Sequence, residues 1–244
     1  MRIAIMQPYF FPYVGYFQLM AAADLFVSYD DVTYIKGGWI ARNCIWSPAG
    51  PQRFGLQLKG RSSYQKICDT SVIPEFEKLK KSLAQNYAKA PFFERVMPLV
   101  STILDYPDHA LGNFLTHSLC AVKDYLGLKA EIVQSSQFDS QRTLRGQERV
   151  IALCEQLGAS HYINLPGGKS LYRAGDFARS GLKLSFIESH PVQYRQFGSH
   201  FIPNLSMLDV LMFNSVEQCQ DLLAQYDLVC PVDPEATTEL ISHG

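Results

Sequence analysis

The chain has 244 residues, of which 22 are Lys or Arg and 23 are Asp or Glu, so its formal net charge is -1. This balance lacks the basic surplus of most nucleic-acid-binding proteins, and we expect no nucleic-acid partner. With 47% hydrophobic residues the chain can bury a substantial core, which excludes a disordered chain.

The lengths of the apolar runs and the spacing of the cysteines narrow the class of protein further. No apolar run approaches the roughly 18 residues that a membrane-spanning helix needs, so we expect no membrane insertion and a cytoplasmic location. The six cysteines show neither CxxC pairs nor Cys/His ligand spacing. We therefore predict reduced thiols and no structural zinc site.

The predicted elements fall into three zones along the chain. The first zone has strands at residues 3–6, 24–29, 40–46 and 53–58 and a helix at 15–23. The second zone has helices at 74–89, 91–105 and 109–127, the first with Lys78, Lys80 and Lys81 on its solvated face. The third zone has strands at 130–134, 161–164 and 183–187, helices at 146–157, 206–214 and 216–225, and a glycine-containing loop at 166–170.

The order of these elements predicts the fold class. Strands alternate with helices at both ends of the chain, around a helical middle. This order is typical of an α/β domain with a mostly parallel sheet. We expect one domain over residues 1–244, with a helical insertion or subdomain at about 70–128.

Residues 7–17 follow the first strand and lead into the first helix, and they contain two prolines and six aromatic residues. In an open parallel sheet this is the carboxyl edge, where ligands bind. We expect the phenylalanines to pack in the core. Gln7, Tyr13 and Tyr16 have polar ends whose partners come either from the protein or from a ligand at this edge.

The spacing Tyr13-x-Gly15-Tyr16 is similar in layout to the His-x-Gly-His loop of nucleotidylyltransferases. In that loop the glycine lets a phosphate approach the backbone at a helix N-terminus. Here both histidines are replaced by Tyr, which cannot act as an imidazolium opposite a phosphate. A nucleotidyltransferase-like core is therefore compatible with the sequence, whereas the two tyrosines argue against nucleotidylyl transfer itself.

The most polar segment runs from Asp30 to Asn43 and gathers two carboxylates, two cations and an amide. Asp31 is a candidate general base or metal ligand, and Lys36, Arg42 and Asn43 are candidates for holding an anionic group. Trp39 could stack on a sugar or a base. The alternative is a turn with capping aspartates and surface ion pairs.

Several motifs together resemble the WbqC-like family, whose members occur in gene clusters for bacterial surface polysaccharides. The matching positions are Gln7-Pro8, Pro12, Gly15-Tyr16-Phe17, Asp30-Asp31-Val32, the segment 36–43, Gly158-Ala159, Tyr162-Ile163, Gly167, Tyr172, Tyr194, Gln196, and Phe201 to Ser206 with Asp209. The resemblance spans most of the chain outside the helical middle. It implies a role near nucleotide-sugar modification or O-antigen assembly.

The resemblance adds Tyr162, Gly167, Tyr172, Ser206 and Asp209 to the candidate substrate-binding residues. Ser206 and Asp209 also have the spacing of an N-cap and its capping-box partner at the start of a helix.

The preferred hypothesis is a group-transfer enzyme acting on a nucleotide-activated sugar. Gln7, Tyr13, Gly15 and Tyr16 would form the pocket floor, and Asp31 and Tyr16 are the candidate catalytic residues. One alternative is a noncatalytic sugar-binding module of a polysaccharide assembly system, and another is an ATP-dependent ligase on a nucleotidyltransferase-like fold. The sequence identifies neither a cofactor nor an oligomeric state.

Overall fold

A computed structural model describes residues 1–60, 64–138 and 143–231. The strands in these ranges are β1 (Arg2–Met6), β2 (Leu25–Ser28), β3 (Arg42–Ile45), β4 (Gln52–Gly55), β5 (Gln57–Lys59), β6 (Ser71–Ile73), β7 (Glu131–Gln134), β8 (His161–Asn164), β9 (Lys183–Ser189) and β10 (Tyr226–Val229). The helices are α1 (Val14–Ala22), α2 (Glu77–Tyr87), α3 (Phe93–Leu104), α4 (Leu111–Tyr125), α5 (Gly146–Gln156), α6 (Ala174–Arg179), α7 (Met207–Phe213) and α8 (Val216–Leu223).

The central sheet has the strand order β10-β9-β8-β1-β2-β7. All neighbouring strands in it are parallel except β10, which runs antiparallel to β9. The chain moves outward from β1 to β2 and β7, then returns to β8 on the other side of β1. Open α/β sheets of this kind bind ligands outside the carboxyl ends of their strands, at the point where the strand order reverses.

Helices cover both faces of the sheet, which explains why its strands are apolar on both sides. Ile3 and Ile5 of β1 pack in one cluster with residues of α5 and α6, such as Val150 and Phe177. Ala4, between them, points to the opposite face and belongs to the cluster built from α1, α7 and α8. This alternation follows from the two-residue period of a strand.

The long segment between β2 and β7 carries the remaining elements. β3 pairs with β4, and β5 pairs with β6, as two separate antiparallel sheets. Helices α2, α3 and α4 follow, and their apolar residues join the same core cluster as α1. The strands β3 and β4 and the helix α2 border the cavity described below.

The structure confirms the predicted α/β class and the mostly parallel sheet. The nucleotidyltransferase-like core stays a prediction. Three short elements were not predicted, namely β6, α6 and β10. Helix α6 buries only Phe177, so it has no periodic apolar stripe, and β10 is a partly exposed edge strand. Among the described residues, no helix is both long and apolar enough to cross a membrane.

Candidate functional site

A cavity of about 580 Å³ opens beside the β3-β4 hairpin and the first half of α2. Four cationic side chains line it, Lys36, Arg42, Arg53 and Lys78. Glu75 is the one carboxylate among its described lining residues. We call this cavity the basic cleft. Its surplus of positive charge suits an anionic ligand.

Arg42 is the most enclosed of the four cations, since it is half-buried and the other three are exposed. Its guanidinium carbon lies 5.7 Å from the centroid of the Trp39 ring, which is itself 50% exposed. Its Nε is buried with no hydrogen-bond partner in the described part of the chain. Because an unpaired buried donor is unfavourable, an anionic ligand would stabilise this position.

None of these four cations forms an ion pair with another described residue. By contrast, Lys80, two residues beyond Lys78 on α2, lies 3.6 Å from Asp105 and 4.0 Å from Glu77. The cleft therefore holds cations that the described protein itself leaves uncompensated.

A second cavity of about 710 Å³ adjoins the basic cleft. The two cavities share Gln57, Glu75 and Lys78, and the second is lined further by Tyr106 and His109. Gln57 Nε2 donates a hydrogen bond to Glu75 Oε2 at 3.0 Å. This hydrogen bond orients the Glu75 carboxylate at the point where the two cavities meet. We call the second space the adjoining cavity.

Asp31, the predicted base or metal ligand, is only 2% exposed. It accepts a hydrogen bond from Ser135 Oγ at 2.5 Å and forms an ion pair with Arg149, which is equally buried. Burial by itself raises the pKa of Asp31, but the hydrogen bonds from Ser135 and Arg149 outweigh it, and the pKa is lowered. Both carboxylate oxygens are thus occupied within the protein, and a catalytic role for Asp31 stays a prediction.

Asp30 is also buried, and it joins the ends of β2 and β7. Its carboxylate accepts hydrogen bonds from Gln134 Nε2 at 3.0 Å, from the Ser136 backbone N at 2.9 Å and from Ser136 Oγ at 2.8 Å. Such a satisfied carboxylate has a structural explanation. Within the described ranges, no group of three or more His, Cys, Asp or Glu side chains is placed to hold a metal ion.

The aromatic segment at residues 7–17 is mostly core. Phe10, Phe11 and Phe17 are fully buried, as predicted. Tyr16 is also fully buried, and its hydroxyl donates to the Gln7 carbonyl oxygen at 2.9 Å. Burial raises the pKa of Tyr16 well above its usual value. Tyr16 is not among the described residues that line the basic cleft, and its catalytic role stays a prediction.

Tyr13 and Gly15 lie at the start of α1 and line a third cavity of about 510 Å³, which we call the sheet-edge pocket. A Cβ at Gly15 would come within 2.5 Å of Tyr13 Cε2. The glycine therefore makes room for the tyrosine ring, and its phosphate-binding role stays a prediction. The sheet-edge pocket shares no described lining residue with the basic cleft.

Asn43 and Ser206 hold the backbone of the aromatic segment. Phe11 has a φ of 43°, an unfavourable left-handed conformation for a residue other than glycine. Its carbonyl oxygen accepts hydrogen bonds from Asn43 Nδ2 at 2.7 Å and from Ser206 Oγ at 2.8 Å. Both donors are buried, so their observed partners are within the protein rather than in the basic cleft.

Ser206 caps α7 as predicted, because its Oγ accepts a hydrogen bond from the Leu208 backbone N at 3.2 Å. The predicted capping-box role of Asp209 is wrong. The Ser206 backbone N donates to the Cys44 carbonyl oxygen at 2.8 Å, so it is not available to the Asp209 side chain. The Asp209 carboxylate points to other partners instead.

Asp209 is fully buried and is bound by two phenols and an amide. It accepts hydrogen bonds from Tyr87 at 2.5 Å, from Tyr194 at 2.6 Å and from Gln196 Nε2 at 2.8 Å. No cation pairs with it among the described residues. Burial raises the pKa of Asp209, although the three hydrogen bonds oppose the shift.

Tyr162 lies within β8 and Tyr172 follows that strand, and both pack in the cluster formed with α5 and α6; Gly167 lies in the exposed turn between them. The Tyr162 hydroxyl donates to the Tyr172 hydroxyl at 3.2 Å, and the Tyr162 ring stacks on Phe177 with centroids 5.4 Å apart. A Cβ at Gly167 would meet nothing within 4 Å. These contacts place Tyr162 in the core and leave Gly167 open.

The predicted site residues therefore do not lie together in one cavity. Lys36 and Arg42 line the basic cleft, with Trp39 beside Arg42. Sequence reasoning missed Arg53 and Glu75 and assigned Lys78 to a solvated helix face. Lys78 is indeed exposed, but the surface it lies on is the wall of the cleft.

Comparison with known proteins gives one family and one curated relative. A model of the WbqC-like protein family matches residues 7–221. The uncharacterized protein Rv1507c of Mycobacterium tuberculosis (strain ATCC 25618 / H37Rv) is 30% identical over 228 residues, which cover 91% of this chain and 97% of that protein. No solved structure matches the chain. The range matched by the family includes both cavities at α2 and the sheet-edge pocket.

Proposed function

The chain belongs to the WbqC-like protein family, and we propose that it transfers a group to or from a nucleotide-activated sugar in the assembly of a bacterial surface polysaccharide. The observation that carries this proposal is the basic cleft, with four cations, one carboxylate and no ion pair from the described residues. Cations of this kind bind phosphate oxygens through charge-assisted hydrogen bonds.

The shape and lining of the cleft support a diphosphate-bearing ligand. Its volume of about 580 Å³ lies within the usual range for small-molecule sites. Arg42 and Lys36 would hold the phosphates from one wall, and Lys78 would hold them from α2. Trp39, half exposed beside Arg42, offers a flat face on which a base or a sugar ring can stack.

The adjoining cavity provides room for a second substrate. Glu75 lies at the junction, lining both spaces. In the proposed reaction, a hydroxyl or amino group of the acceptor attacks the activated carbon, and Glu75 takes up its proton. The bond from that carbon to the diphosphate breaks, and the cations of the cleft stabilise the negative charge of the leaving group.

A noncatalytic binding module is the second candidate. The observation that favours it is that Asp31 and Tyr16, the two candidate catalytic residues from the sequence, are buried and bonded within the protein. Such a module would use the same cations and the same tryptophan but would not turn over its ligand.

Titration with uridine diphosphate, followed by calorimetry, tests the ligand class. Lys36→Met or Arg42→Met should weaken binding by about 2 kcal/mol, which is about 30-fold, because each removes a charge-assisted contact. Lys78→Met should weaken binding in the same way. Lys81→Met is its control on the same helix, because Lys81 is exposed and lies outside both cavities at α2. Equal affinities in that pair, or no binding by the wild type to any nucleoside diphosphate, would reject the proposal.

Glu75→Gln then separates the enzyme from the binding module. It removes a negative charge from the cleft and should leave diphosphate binding intact or tighter. Release of nucleotide from a nucleotide sugar should fall at least 100-fold if Glu75 is the proton acceptor. Unchanged release would remove Glu75 from the mechanism, and no release by the wild type would favour the binding module.

A further inference from the structure

The sheet-edge pocket lies where a parallel α/β sheet presents ligand sites. Its walls include the start of α1, which follows β1, and residues 189–194, which begin at the last residue of β9. Both strands end at the carboxyl edge of the sheet, because β1, β8 and β9 are parallel neighbours. Ligands of open α/β sheets bind outside this edge. The volume of about 510 Å³ is that of a small-molecule site.

The lining of this pocket differs in chemistry from that of the basic cleft. Among its described lining residues there is no Lys, Arg, Asp or Glu, and its one histidine, His190, has Nε2 at 2.9 Å from Asp227 Oδ2. Tyr13, Tyr194 and Phe201 supply aromatic surface, and Gln193 and Asn204 supply amides. Gln193 and Asn204 are exposed and Tyr13 is half-buried, and their side chains have no hydrogen-bond partner among the described residues. Rings combined with free neutral donors and acceptors suit an uncharged polyhydroxylated ring.

The aromatic walls are fixed from behind. The Tyr194 hydroxyl donates to the buried Asp209 carboxylate at 2.6 Å, and its ring meets Phe201 edge to face with centroids 5.3 Å apart. The Tyr13 ring is seated against Gly15, where no side chain could stand without moving it. A buried carboxylate without a cation is unfavourable for folding. In this protein the Asp209 carboxylate holds Tyr194, which forms a wall of the pocket. Side chains that are already ordered lose less conformational entropy when a ligand binds.

We infer that the sheet-edge pocket is a second ligand site, which takes one uncharged sugar ring stacked on Tyr13 or Tyr194 and hydrogen-bonded by Asn204 and Gln193. This site goes beyond the proposed function, because it shares no described lining residue with the basic cleft and requires no phosphate. A sugar residue of a larger saccharide would thus be held apart from the diphosphate-binding cavity.

Asn204 provides a variant that tests this site without endangering the fold. Its φ is 58°, a conformation that glycine adopts more readily than asparagine. Asn204→Gly therefore removes the amide while relieving the backbone, and the protein should fold at least as well as the wild type. Tyr13→Phe removes only a hydroxyl. The exposed Arg195, which lies outside the lining, gives the control Arg195→Ala.

The experiment is saturation-transfer NMR on the full chain with the methyl glycosides of glucose and of N-acetylglucosamine as probes. We expect a signal with the wild type, a 2- to 10-fold weaker affinity in Asn204→Gly and in Tyr13→Phe, and no change in Arg195→Ala or Arg42→Met. No signal from either glycoside with the wild type would overturn the inference, as would binding that survives both pocket variants. Loss of the signal in Arg42→Met would place the sugar in the basic cleft. Uridine diphosphate binding is measured separately, so the proposal for either site can be rejected without rejecting the other.

Discussion

Removal of Arg149 should strongly destabilise the fold, because it leaves the Asp31 carboxylate buried without its cation. Both side chains are about 2% exposed, and the guanidinium also lies 5.0 Å from the Tyr29 ring. Breaking a buried pair by deleting one partner typically costs about 3–5 kcal/mol. For a chain of this length each kcal/mol lowers Tm by about 2–4 °C, so Arg149→Met should lower Tm by about 6–20 °C.

The pH dependence has a definite sign. Since the pKa of Asp31 is lowered in the folded protein, the ion pair contributes stability above the unfolded-state pKa, and this contribution is lost as pH falls through the folded pKa. In Arg149→Met the carboxylate can escape its buried charge by protonation. The difference in Tm between variant and wild type should therefore narrow as the pH is lowered.

Urea denaturation of Arg149→Met and of a matched surface variant measures this effect. Arg2 pairs with Asp24 at 3.0 Å, but both side chains are 46% exposed, so Arg2→Met should cost below about 1 kcal/mol. The double variant Asp31→Asn with Arg149→Met should lose less than the sum of the two single changes. If Arg149→Met costs no more than Arg2→Met, the structural role of the pair is refuted. If Asp31→Asn keeps its stability but abolishes turnover, the catalytic role predicted from the sequence gains support.

Three further outcomes are expected. Tyr87→Phe removes a donor from the buried Asp209 and should cost about 1–3 kcal/mol in urea denaturation; because the pKa of Asp209 is raised and the phenol stabilises the charged carboxylate, the loss should shrink as the pH falls through the folded-state pKa, and a pH-independent loss would contradict this. Gly15→Ala forces the Tyr13 ring to move and should lower Tm, whereas the same change in a Tyr13→Ala background should have little effect; equal losses in both backgrounds would contradict the contact. All six cysteines are free in the structure, so reductant or a chelator should leave Tm unchanged, and a clear drop with either would reveal a bridge or a metal site.

The elements that the sequence predicted are those whose signals are local. β1, α1 and β2 follow from a short apolar run, an apolar helix and a second apolar run within the first 28 residues. Lys36 and Arg42 were found because they lie six positions apart, with Trp39 between them. Arg53 joins them only because β4 pairs antiparallel with β3, in a register that sets Cys44 opposite Arg53. The two strands were predicted on either side of the turn at residues 47–50, but that turn does not specify their register.

The contacts that sequence reasoning missed join residues that are far apart in the chain. Asp31 and Arg149 are 118 positions apart, and Tyr87 and Asp209 are 122 apart. A carboxylate beside a strand end has the same local pattern whether its partner is a substrate or a buried arginine. The Tyr13-x-Gly15-Tyr16 motif shows a different limit, because the sequence does not specify the direction of the Tyr13 side chain, whose ring needs the space at Gly15 only two positions away.

Helix α2 gives the basic cleft and the sheet-edge pocket a common support. Lys78 and Ser82, near its start and middle, line the cleft, whereas Tyr87 at its end reaches Asp209. Asp209 in turn holds Tyr194, a wall of the sheet-edge pocket. Because helices are stiff and the Asp209 cluster is buried, the position of α2 fixes one wall of each cavity at the same time. The buried carboxylate is thus explained by its place between two sites of different chemistry, one cationic and one neutral.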